Sequence, residues 1–102
     1  MEIQKLTNSD YRFCLIIWEY EPIGSTALVS LCKERLGWAK PTTYTVLRRL
    51  VNRGVLKKEN TIVTSTITKG QAQTYITERI LQDYFSNSVP ELISVISKIS
   101  QS

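Results

Sequence analysis

The sequence predicts a mainly α-helical chain with a small β-hairpin, in the order three helices, hairpin, two helices. Two observations predict it. Apolar residues recur at helical spacing on both sides of one short segment rich in β-branched residues. Helix start and stop residues punctuate the stripes at the right places. With 102 residues, 42% of them apolar, the chain can bury one modest core.

Thr7 suits an N-cap, with Asp10 three residues on as its acidic partner. Phe13, Ile16 and Ile17, flanked by Cys14 and Trp18, then repeat at helical spacing. Pro22 and Gly24 break the chain, and Ser25 is expected to cap a second helix. Leu28, Leu31, Cys32 and Leu36 form its buried stripe, and Gly37 stops it. A third helix starts near Pro41, where a missing N–H costs nothing, and runs to Arg53 before Gly54.

The run "VLKKENTIVTSTI" then reads as a hairpin, with strands at 55–58 and 61–67 around a polar Glu59-Asn60 centre. Thr68 and Gln71 have capping-box spacing and open a fourth helix carrying Ile76, Ile80, Leu81, Tyr84 and Phe85. Ser88 and Glu91 repeat that spacing around Pro90. The fifth helix presents Val89, Leu92, Ile93, Ile96 and Ile99. Three helices followed by a two-stranded hairpin is the order of a winged helix-turn-helix domain. We assign it to residues 1–68, leaving 69–102 as two C-terminal helices that either pack back onto their own domain or pair with a second chain.

Charge is distributed unevenly. The net charge is +4, yet Lys33, Arg35, Lys40, Arg48, Arg49, Arg53, Lys57 and Lys58 lie within 26 residues against one acid, Glu34. Such a block points to a polyanionic partner, chiefly double-stranded DNA; the bland alternative is a solvated basic face. On the third helix Val46, Leu47, Leu50 and Val51 share one side with Thr43, while Thr42, Thr45, Arg48, Arg49 and Asn52 point the other way and Tyr44 lies at the edge. The outer face thus offers hydroxyls and guanidiniums and no carboxylate. Threonine is a poor helix former, but its methyl can meet a thymine methyl, and arginine can fork onto guanine or phosphate. We therefore take Lys40, Thr42, Thr43, Tyr44, Thr45, Arg48, Arg49, Arg53, Lys57 and Lys58 as the DNA-binding set.

Enzymatic function is not expected. The chain has no histidine, no phosphate loop and no paired-carboxylate constellation. Cys14 and Cys32 sit in apolar stripes and read as buried, reduced thiols, not metal ligands or nucleophiles. No metal and no cofactor is expected. No segment reads as a membrane span or a signal peptide. The competing function is a winged-helix module used for protein–protein contact in a larger assembly.

The residues from Leu6 to Leu56 resemble the penicillinase-repressor family, which includes the methicillin-resistance and copper-transport repressors. Thr7, Asp10 and Tyr11 match its polar cap, acidic residue and aromatic. Ile16, Ile17 and Trp18 match its first-helix end, and "WAKPT" matches the lead-in to its recognition helix. Thr45, Leu47, Arg49, Leu50, Gly54 and Leu56 follow its "T…L-x-R-L…K-G-x-L" pattern. The resemblance implies a cytoplasmic, homodimeric repressor of transcription that binds a palindromic operator and answers to an inducer or sensor protein. Dimerisation would then use Ile76, Ile80, Tyr84, Phe85, Val89, Leu92, Ile93, Ile96 and Ile99. This chain departs from the family in three ways. Lys40-Pro41 reverses the family's Pro-Lys order, and the wing lacks its Gly-Arg turn and aromatics. No Asn-Phe pair lies in the last helices, so release by proteolysis is not carried over.

Overall fold

Thr7 and Asp10 close the expected capping box at the start of the chain's first helix, in a computed structural model that describes residues 6–101. The Thr7 hydroxyl accepts from the Asp10 amide at 3.1 Å, and the Asp10 carboxylate accepts from the Thr7 amide at 3.1 Å. Helix α1 (Asn8–Tyr20) turns Phe13, Cys14, Ile16 and Ile17 into the core. Two residues, Ile23–Gly24, then form strand β1, which was not expected.

Helix α2 (Ser25–Leu36) is capped differently from the expectation. Gly24 occupies the N-cap without a side-chain bond, and Ser25 is buried in the first turn, donating its amide to the Thr61 carbonyl at 2.7 Å. Pairing with the hairpin has claimed the residue that a free helix would use as its cap. Gly37 ends α2 with φ 70°, a left-handed conformation that glycine adopts without penalty. Helix α3 (Lys40–Asn52) carries Pro41 in its first turn. Gly54, at φ 79°, then turns the chain into strand β2 (Leu56–Glu59).

Strand β3 (Ile62–Ser65) pairs antiparallel with β2, Glu59 opposite Ile62 and Leu56 opposite Ser65. Asn60 takes φ 58° in the tight turn between them, a conformation asparagine tolerates better than most residues. On its other edge β3 pairs with β1, giving the sheet order β1-β3-β2. The expected hairpin is thus a three-stranded sheet, and its strands are shorter than the β-branched run.

One core joins these elements: Phe13 and Ile17 from α1, Leu28 and Cys32 from α2, Leu47 and Leu50 from α3, and Val55 and Val63 around the sheet. Trp38 stacks on Phe13 at 5.5 Å between ring centroids. Burying each large side chain of this set contributes about 1.5–3 kcal/mol. Among the described residues, five helices and a small antiparallel sheet match a winged-helix domain.

Helix α4 (Lys69–Phe85) opens on a complete Thr68–Gln71 capping box. Ala72 is fully buried against the core, Gln73 bonds the Tyr11 hydroxyl, and the Trp18 indole donates to the Ile67 carbonyl at 3.0 Å just ahead of the helix. Ser86 and Asn87 adopt positive φ and reverse the chain into α5 (Val89–Ser100). Only the Ser88 half of the second expected box forms, its hydroxyl accepting from the Glu91 amide. α5 packs on α4 and buries none of its residues. The radius of gyration, 15.8 Å, exceeds the roughly 13 Å typical of 100 residues because this pair extends from the body. The outer ends of the expected 1–68 and 69–102 units lie outside the described residues.

Candidate nucleic-acid interface

The apolar stripe of α3 fixes which of its side chains can meet a ligand. Val46, Leu47 and Leu50 are buried, so Thr42, Thr45, Arg48, Arg49 and Asn52 are turned outward, as their spacing dictates. No acidic residue lies in the first turn, which leaves its amide groups facing an uncompensated surface. Thr45 donates its hydroxyl proton to the Pro41 carbonyl at 2.9 Å. It therefore presents a methyl and an oxygen with acceptor capacity.

Tyr44, half-buried at the edge of α3, organises the flank. The Lys40 ammonium lies 6.0 Å from its ring centroid and the Lys58 ammonium, from β2, lies 5.8 Å away. One ring thus gathers a cation from the start of α3 and a cation from the wing. Arg48 and Lys58 share with Tyr44, Leu47 and Val51 a shallow groove of about 150 Å³. Arg53 is half-buried and engaged within the chain.

Three residues of the expected set are placed differently from free DNA contacts. Thr43 is 1% exposed and lies among the core residues, on the apolar side of α3. Its hydroxyl has no well-formed hydrogen bond, and the neighbouring Cys32 thiol is its polar contact. Arg49 is paired with Asp10, whose side chain is 1% exposed. Its guanidinium is held by the body of the domain, and the partner carboxylate sits in a position the sequence marks only as a helix cap. Lys57 pairs with Glu59 at 2.8 Å across an exposed face of the wing. The hydrogen bond and the charge of Glu59 raise the Lys57 pKa, and Lys57 lowers that of Glu59 for the same reasons.

The C-terminal set divides by exposure. Ile76, Phe85 and Leu92 are half-buried, while Ile80, Tyr84, Val89, Ile93, Ile96 and Ile99 are exposed, Tyr84 at 78% and Ile99 at 67%. Val95 is also exposed beside them and was not in the expected set.

The two thiols are buried and unpaired. Burial pushes the Cys14 pKa up to about 12, helped by the Asp10 charge. Burial pushes Cys32 up to about 11, partly offset by the Thr43 hydroxyl. Both are protonated and weakly nucleophilic at neutral pH. Among the described residues no cluster of histidine, cysteine or carboxylate side chains is placed to hold a metal ion, and no helix is long and apolar enough to cross a membrane.

A family model described as Penicillinase repressor matches residues 6–101. A search of curated proteins finds no significant match.

Proposed function

Because this chain belongs to the penicillinase repressor family, whose members are regulators and not enzymes, we propose that it is a homodimeric repressor that reads a two-fold DNA operator with α3. The outward face of α3 carries this reading. It offers Thr42, Thr45 and Arg48 without a carboxylate, and it is flanked by Lys40 and Lys58 on Tyr44. In such domains the second helix of the pair enters the major groove by its N-terminal part. Thr42 and Thr45 are the base-reading residues in this proposal. Lys40, Arg48 and Lys58 hold phosphates, and Tyr44 keeps the two lysines in place. Arg53 and Lys57 stand at the margin because each already has a partner within the chain. Arg49 positions the helix through Asp10.

Residues 6–68 serve as the reading domain and 69–101 as the dimer arm. The support for a dimer is the apolar face of α5, which one chain leaves open. An apolar stripe of this kind resembles half of a divided core. Two copies would set two reading helices about 34 Å apart, one turn of DNA. The cytoplasm suits two unpaired thiols, and an inducer or sensor protein would release the repressor.

Titration with duplex DNA at several salt concentrations tests the proposal. Affinity should fall steeply with salt, and fragments selected from a random pool should converge on a two-fold sequence. Salt-independent binding, or no enrichment, would overturn it in favour of a protein-contact module.

A further inference from the structure

A groove of about 550 Å³ lies where α1, the end of α2 and the start of α4 meet. Its volume is in the range of small-molecule sites. We propose that it is an effector site for a small amphipathic carboxylate, with an anionic head and a short apolar tail.

The floor is apolar, from Leu15, Trp18 and Leu36. Trp18 is a fixed wall: its indole donates to the Ile67 carbonyl at 3.0 Å, and Tyr11 packs edge-on against it at 5.6 Å. The rim is cationic. Arg35 bonds Glu19 at 2.7 Å and also contacts Tyr20, so that pair is internally neutralised. Arg12 and Lys69 remain, both exposed and without a partner among the described residues. Two uncommitted cations above an apolar floor complement one carboxylate with a hydrocarbon tail. A bare phosphate would leave the floor unused, and so would a nucleic-acid backbone.

The place of the groove gives it consequence. Glu19 lies about 180° around α1 from Asp10, which holds Arg49 of α3, so a ligand there leaves the reading face open. Yet Leu36 is the last residue of α2 before the turn into α3, and Lys69 is the first of α4. An occupant would therefore bear on both the reading helix and the arm, and would alter operator affinity. That last step rests on the repressor reading; binding itself does not.

The test uses the full chain with Trp38→Phe, leaving Trp18 as its one tryptophan. Octanoate and 4-phenylbutyrate are titrated against its fluorescence, with octanol and inorganic phosphate as controls. A saturable change is expected with the carboxylates alone. The exposed double variant Arg12→Ala/Lys69→Ala, checked for fold by circular dichroism, should bind roughly tenfold more weakly. No saturable response, an equal response to octanol, or undiminished binding by the double variant overturns the site. Since no DNA is present, those failures leave the repressor reading untouched. Octanoate binding that leaves operator affinity unchanged overturns the regulatory role.

Discussion

Arg49, from the outer side of α3, pairs with Asp10, a fully buried carboxylate in the first turn of α1. Asp10 also accepts from the Thr7 amide, so one side chain caps α1 and fixes α3. A carboxylate this deep is costly without its partners. Arg49→Ala should therefore destabilise the domain by about 2–4 kcal/mol, less than a fully enclosed pair because Arg49 itself is partly exposed. Urea denaturation reads this directly. A change below about 0.5 kcal/mol, the usual range for surface substitutions, would show that the pair does not organise the fold.

The thiols make a prediction in alkaline solution. Both have folded pKa values above their ordinary 9.0, about 12 for Cys14 and about 11 for Cys32. The unfolded chain loses these protons first. The stability contributed by the thiols is therefore full below pH 9 and is lost as pH rises towards 11–12. Cys14→Ala should lower stability at pH 7 through the lost packing, and the difference from wild type should shrink above pH 9. A difference that stays constant from pH 7 to pH 11 contradicts the assignment.

Glu59 restrains Lys57 at the wing. Glu59→Gln removes a negative charge from a surface proposed to face phosphates. Affinity for any duplex should rise, and the salt slope should steepen by up to about one unit. Unchanged affinity and slope would mean that this side of the wing does not approach DNA.

The α5 stripe should hold the dimer. Ile93→Lys/Ile96→Lys places two charges on a face that is exposed in one chain, so the fold should persist while association fails. Analytical ultracentrifugation should give monomers, with weaker operator binding. A dimer of undiminished strength would move the interface elsewhere.

The elements with strong local signals were legible in the sequence. The Thr7 and Thr68 boxes, the Gly37 and Gly54 stops and the α3 stripe all follow from adjacent residues. What was hidden is non-local. Ile23–Gly24 is too short to show alternation, and only its pairing with Ile62 and Val63 makes it a strand. Ser25 looked like a cap until that pairing claimed its amide. Within the site, Thr43 was assigned to DNA even though its spacing put it on the apolar side, and the core holds it. Arg49 looked like a reader because no local pattern reveals a partner 39 residues away. The convergence of Lys40 and Lys58 on Tyr44 depends on where the wing folds back, which spacing does not encode.

The central claim is that α3 reads sequence while its flanks hold the backbone. Thr45→Ala and Lys58→Ala separate the two roles when titrated against the selected site and a scrambled duplex at several salt concentrations. Thr45→Ala should cost about 1–3 kcal/mol on the selected site and little on scrambled DNA. Lys58→Ala should weaken both duplexes and lower the salt slope by about one unit. Equal weakening of both duplexes by Thr45→Ala, or no effect from either substitution, would contradict the assignment of α3 as the reading helix.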